Sequence, residues 1–348
     1  MDIAVLILIL KVGLLILILL WISISFTMVY RRRRSRKLRL IENTFAEVVS
    51  NYLYPDKENP VSLVEIQRLM RKIGIRESRM KNVQYLIALM IRTQRSILGK
   101  NHDRLKQLYG QIPPFRASIS KVRTYGWYNK ACGIREIYEM NQTQYLQEII
   151  PLRNHKNLYV RREAQIALVV FLGWESLRFI PYLKKKVTRW QQIKIVEKLY
   201  DLYREPQVES LRKIYGSDRV FAKQLIMRII RKYGLESEID YILSHLDHSN
   251  YEVREAAIYC LNSFKVTTKI EEIKNFFHRI PVVSQQRQLI DYIFENSQID
   301  LDFYMDLLRT SNDEIKLKAA EILWNSGYKE KVQEFYLQQY SNTGVYAE

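Results

Sequence analysis

Apolar residues fill the first thirty positions almost without interruption, and after Leu40 they recur every three or four residues. Ile3 to Tyr30 reads IAVLILILKVGLLILILLWISISFTMVY, broken by Lys11 alone. As a helix this run is about 40 Å long, more than the roughly 30 Å hydrocarbon layer of a bilayer. A cleaved signal peptide would need a basic start, a shorter apolar core and small residues at its end. Here the chain starts Met1-Asp2, and the run closes on Arg31-Arg32-Arg33-Arg34-Ser35-Arg36-Lys37. The pattern predicts a single transmembrane helix at 1–30 and a basic juxtamembrane segment at 31–40. Arginines beside a span stay on the cytoplasmic side, so the amino terminus is expected outside and the rest of the chain inside. Lys11 lies about 20 residues, or roughly 30 Å, before Arg31. It either snorkels to the outer interface or pairs with an acid on a partner's transmembrane helix.

Beyond Leu40 no strand-like alternation persists. Leu146, Ile149 and Ile150, and later Ile239, Ile242, Leu243 and Leu246, follow helical spacing. Polar turns such as Asn154-His155-Lys156-Asn157 and Asp247-His248-Ser249-Asn250 separate the segments. The prediction is all-α. Residues 41–126 read as a helical cap or spacer, with helices at Ile41 to Leu53, Val61 to Ile73, Arg79 to Ile97 and His102 to Tyr109. Asp56 to Pro60 reads as a turn and Pro113-Pro114 as a break.

From residue 127 the pattern repeats. Val160, Ala164 and Leu168 align without gaps with Val253, Ala257 and Leu261, and with Ile315, Ala319 and Leu323. Each set puts a large, a small and a large residue on one helix face, which lets another helix approach closely. Weaker copies are Gln191, Ile195, Leu199; Asp218, Ala222, Ile226; and Gln285, Leu289, Ile293. The first positions step by about 31 residues on average, as stacked helix pairs require. Gln192 and Gln286 depart from the pattern where Arg is expected.

The turn followed by Val-Arg-x-x-Ala-x-x-x-Leu resembles the HEAT repeat, a two-helix unit. That resemblance implies an α-solenoid over 127–327, opened by the Trp127 to Ile137 helix, with 328–348 as a carboxy-terminal cap and tail. The whole layout is similar to bacterial membrane-anchored HEAT-repeat proteins. It implies the bacterial inner membrane and a protein-binding scaffold, plausibly beside a membrane glycosyltransferase in polysaccharide synthesis. Other HEAT-like proteins excise alkylated bases or attach bilins, so a nucleic-acid-binding or base-processing protein is the alternative.

Charge bears on that choice. The chain carries 55 Lys plus Arg against 37 Asp plus Glu, a formal +18 over 348 residues. Residues 1–40 carry +7, 41–126 carry +8, 127–235 carry +11 and 236–348 carry −8. Arg31, Arg32, Arg33, Arg34, Arg36, Lys37 and Arg39 are expected to meet anionic lipid head groups, at about 1 kcal/mol each. Arg161, Arg162, Lys194, Lys198, Lys223, Arg228 and Arg231 are candidates for a partner groove, which phosphates would also suit.

No HExxH, GxxxxGK[ST], GxSxG or GxGxxG occurs, and no enzyme, cofactor or metal is expected. His245 and His248 are three apart, a weak metal spacing at a helix end where capping is commoner. Cys132 and Cys260 read as small buried hydrophobes.

Overall fold

The computed structural model describes residues 3–54, 62–76, 80–97, 99–112 and 114–342, and every element among them is helical. The expected turn at 56–60 and the tail from 343 lie outside the described residues. Two compact units divide the chain, Met1–Phe171 and Leu172–Glu348.

The first unit is built on α1 (Ile3–Leu53), one helix of 51 residues and about 76 Å. The anchor, the arginine cluster and the expected Ile41–Leu53 helix are therefore a single element rather than three. The reason is local. Between Gly13 and Leu53 the chain has neither Gly nor Pro, and Arg, Lys and Leu are strong helix formers. The two halves of α1 differ in what they touch. Val12 to Tyr30 present exposed apolar side chains, whereas Ile41, Phe45, Val48, Val49 and Leu53 are buried.

That buried stripe packs on α2 (Leu63–Lys72), α3 (Met80–Ser96) and α4 (Lys100–Gln111). Ile66, Met70, Leu86, Met90, Leu105 and Leu108 complete the core. Each such side chain is worth about 1.5–3 kcal/mol when fully buried. The stripe thus fixes the whole helix to the unit.

Next come α5 (Pro114–Arg123), α6 (Trp127–Glu139), the one-turn α7 (Leu146–Ile149) and α8 (Leu158–Leu172). α5 and α6 form a tight pair. A Cβ on Gly133 would lie 2.6 Å from the Ser118 carbonyl oxygen, so only glycine allows this approach. Across the pair, Glu136 accepts from Ser118 Oγ at 2.7 Å and pairs with Lys121. Residues 114–123 therefore belong with α6, and the expected boundary at 126/127 falls inside a helix pair. α8 is apolar enough to cross a membrane by composition, but Val160, Ala164 and Ala167 are core residues of this unit.

In the second unit, long helices alternate with shorter segments. The long ones are α9 (Arg189–Leu202), α11 (Val220–Tyr233), α13 (Tyr251–Leu261), α15 (Val283–Asn296) and α17 (Asp313–Asn325). Interleaved are α10 (Val208–Arg212), α12 (Ile239–Leu243), α14 (Ile270–Phe277) and α16 (Leu301–Thr310), and α18 (Lys329–Asn342) closes the series. Each long helix packs against the next, α9 on α11 through to α15 on α17.

The repeat register sharpens here. All nine residues read as repeat core are buried: Val160, Ala164, Leu168, Val253, Ala257, Leu261, Ile315, Ala319 and Leu323. One weaker copy was one turn early. Asp218 is exposed and lies before α11 begins, while Ala222, Ile226 and Ile230 are fully buried. With Ala222 as the first position, every copy starts on the third residue of its helix. The starts become 160, 191, 222, 253, 285 and 315, so the steps are 30 to 32 residues.

The structure also accounts for Gln192 and Gln286. Arg161 Nη1 donates to the His155 and Lys156 carbonyls at 2.8 and 3.4 Å. Arg254 Nη1 makes the same reach to His248 and Ser249 at 2.7 and 3.1 Å. Gln192 Nε2 donates to the Val187 carbonyl at 3.1 Å, and Gln286 Nε2 to Ile280 at 2.8 Å. In four copies the residue after the first core position thus latches the preceding turn. Gln serves because one amide N–H is enough. In the third copy Lys223 points to His248 instead.

Arg254→Ala removes both turn bonds and the bond from Nε to Gln285 Oε1 at 2.9 Å. It should destabilise the chain by about 1.5–3 kcal/mol and lower Tm by several degrees. Arg254→Gln should recover part of that loss. An unchanged Tm for Arg254→Ala contradicts the latch.

Candidate partner-binding face

The exposed sides of α9, α11 and α13 frame a cavity of about 310 Å³, lined among others by Lys186, Arg189, Arg228, Glu252, Glu255 and Tyr259. Arg189 stands exposed on the first residue of α9, directly after Thr188, whose capping box with Gln191 starts the helix. Arg228 Nε donates to Gln192 Oε1 at 3.0 Å, so the turn-latching glutamine also orients this guanidinium. One turn on, the Arg231 guanidinium lies 4.2 Å from the centre of the Tyr259 ring. Lys186 pairs with Glu252 at 2.9 Å at the rim.

The cluster is electrostatically strained. Burial, together with the neighbouring charges of Arg189 and Arg231, pushes the Arg228 guanidinium below its ordinary range. Arg231 in turn holds the Tyr259 hydroxyl below its usual value. Among the described residues, none of Arg189, Arg228 and Arg231 has a carboxylate within ion-pair distance. Glu255 offsets this in part, and an anion placed among the arginines would relieve the rest.

The seven groove candidates do not form one surface. Arg161 is buried and occupied by its turn. Arg162 pairs with Glu163 at 3.0 Å. Burial alone would raise the Glu163 carboxyl, but Arg135, Arg162 and Tyr138 together hold it below its usual value. Both arginines are in the first unit. In the second, Lys194 pairs with Glu197 at 2.8 Å and covers the Trp190 ring, and Lys223 Nζ lies 3.3 Å from His248 Nε2. Lys198 is half-buried on α9. Arg228 and Arg231 are the two candidates that the fold brings together.

Sequence reading missed Arg189, Tyr259 and Glu255. The misplaced register hid the signal. Counted from Ala222 and Val253, Arg228 and Tyr259 are equivalent positions on adjacent helices. Of the expected lipid-facing cations, Arg31, Arg32, Arg33, Arg34, Arg36 and Arg39 are exposed on α1, and Lys37 is half-buried.

The histidine pair serves the turn. His245 Nδ1 lies 2.8 Å from the Tyr241 carbonyl, and His248 Nδ1 accepts the Asn250 N–H at 3.0 Å. The rings stack with centroids 5.8 Å apart. His155 repeats the second role, accepting the Asn157 N–H at 3.1 Å. Among the described residues no cluster of His, Cys, Asp and Glu could hold a metal. Cys260 is buried, its thiol pushed up to about 12 by desolvation, while Cys132 is half-buried.

Residues 239–264 match the HEAT repeat family model. The match runs from α12 through the turn to the end of α13, where the Asn250 cap, the Arg254 latch and the Val253, Ala257, Leu261 face coincide. It supports a HEAT-repeat protein, and HEAT repeats generally mediate protein–protein interaction. No curated protein matches the chain.

Burial and nearby cations push His155 and His248 below the ordinary histidine value, and burial first of all does so for His245. The unfolded chain therefore takes up these protons first. The stability held by neutral histidines is fully present above about pH 6.5 and is lost as the pH falls through the lower folded values. Tm of the full chain should fall between pH 7 and 5, before the carboxylates titrate, and His248→Asn should flatten part of that fall. A Tm flat across this window contradicts the turn role.

Proposed function

We propose that this protein is a non-enzymatic, membrane-tethered HEAT-repeat scaffold that holds a protein partner at the cytoplasmic face of a bacterial inner membrane. The observation that carries the reading is α1. Its apolar half presents exposed side chains on every face, and its other half is a core element of the first unit. In water so large an apolar surface is costly, while in a bilayer it is at home. The arginines from Arg31 to Arg39 follow directly, where the positive-inside rule would fix them in the cytoplasm. Anionic head groups are their proposed counter-charges.

The repeat chemistry supports the scaffold half of the reading. Long helices packed side by side leave one face of each free for a partner, and the HEAT match falls within this series. The layout makes a membrane glycosyltransferase complex the first setting to examine.

The tether is tested by expressing the full chain with a tag after Glu348, then digesting right-side-out and inverted membrane vesicles with protease. The protein should resist carbonate extraction, and the tag should be cleaved only in inverted vesicles. Deleting residues 1–30 should release it from the membrane. Extraction by carbonate, or cleavage in right-side-out vesicles, contradicts the reading.

A further inference from the structure

The cluster on α9, α11 and α13 has a charge order. Arg189 and Arg228 line the cavity from two adjacent helices, Arg231 flanks it against the Tyr259 ring, and the next helix supplies Glu252 and Glu255. Lys186 already pairs with Glu252, whereas Glu255 has no base within ion-pair distance among the described residues. One wall therefore carries two guanidinium groups without an ion pair, and the opposite wall carries Glu255, which makes no ion pair but whose charge favours the Arg228 guanidinium. Tyr259 also lines the cavity, its ring covered by Arg231.

We propose that this cavity binds a partner protein through a carboxylate side chain seated at Arg189 and Arg228, with Arg231 beside them, on a segment whose neighbouring charge is basic and faces Glu255. This deepens the scaffold reading and rests on it. Guanidinium groups suit a carboxylate because they donate two parallel N–H bonds in the geometry of its two oxygens. Arg228 is held ready by Gln192 and Arg231 by the Tyr259 ring, so binding would order little that is still free. The volume, about 310 Å³, is that of roughly ten waters at ~30 Å³ each and admits a side chain.

A nucleic-acid strand suits the site less well. Its phosphates repeat with one sign, and the strand would pass from the arginines onto Glu252 and Glu255, where like charge repels. An acid followed by a base one helical turn later meets attraction at both walls. The cavity would thus select charge order as well as charge.

The test uses the full-length protein in detergent micelles and four fluorescein-labelled probes. These are the helical peptides (EAAAK)3, (EAAAE)3 and (KAAAK)3 and a 20-nucleotide oligothymidylate, each titrated by anisotropy. (EAAAK)3 should bind best. Arg189→Gln, Arg228→Gln and Arg231→Gln should each weaken it by about two- to fivefold, the upper part of the range of solvent-accessible charge pairs. Glu255→Lys should shift the preference to (EAAAE)3. Arg189 is exposed and holds no other element, so its variant keeps the fold, with Tm as the control. Absence of saturable (EAAAK)3 binding up to about 1 mM, binding indifferent to Arg189→Gln and Arg231→Gln, or tighter oligothymidylate binding lost in the same variants overturns the proposal. If the peptide fails while a membrane protein still co-purifies, and still does so with the Arg231→Gln variant, the cluster is not the contact and the scaffold stands. If co-purification fails as well, the scaffold reading falls with it.

Discussion

Everything proposed for this protein depends on α1 being one unbroken helix with two incompatible environments. Ile41, Phe45, Val48 and Leu53 are pinned in the core of the first unit, so that half cannot detach without exposing the apolar surface of four helices. The other half carries Val12 to Tyr30 as exposed apolar side chains, with none of the described residues packed around them. A helix bends sharply at proline, at glycine or where its ladder is interrupted, and the only glycine, Gly13, is far from the junction. The proposed tether is thus a strut. The first core residue, Ile41, stands ten positions beyond Arg31, about 15 Å along the axis. On the proposed reading, the arginine belt lies on a rigid rod whose core end would set how the first unit meets the membrane.

The same economy runs through the charges. The stretch 127–235 carries a formal +11, which first reads as an advertisement for polyanions. Much of it is spent inside the protein. Arg161 holds a turn, Arg135 and Arg162 surround the buried Glu163, and Arg212 meets Glu238. Lys186 reaches across to Glu252 in the acidic third of the chain. Of the basic residues without an ion pair among the described residues, Arg189 and Arg228 share the α9–α11–α13 cavity, while others such as Lys185, Lys198 and Arg219 lie outside its lining.

The helical class and the strongest repeat copies were legible in the sequence, because Val160, Ala164 and Leu168 and their counterparts obey both helical spacing and burial. Three things were not. The continuity of α1 was masked by the change from apolar to basic residues at Arg31, a change of solvent that the backbone ignores. The third copy was placed at Asp218 because α11 has neither a side-chain cap nor a latch to mark its start. Arg161 read as surface charge, although its stem crosses the core face to reach the turn, and the polar ends of long side chains are poor guides to depth. The cavity on α9, α11 and α13 needed the corrected register before Arg228 and Tyr259 could be seen as neighbours.

The central claim is the two-environment helix, and it is tested most directly by a spin-label scan. Single cysteine labels placed at each position from 11 to 49, on the full chain in lipid nanodiscs, report oxygen and water accessibility. The account predicts oxygen-rich, water-poor labels on all faces up to Tyr30. A water-accessible interval should follow at Arg31 to Arg36, and a 3.6-residue protection pattern should emerge near Leu38 with minima at Ile41, Phe45 and Val48. Water accessibility throughout 12–30, or loss of helical periodicity between 31 and 40, would contradict it.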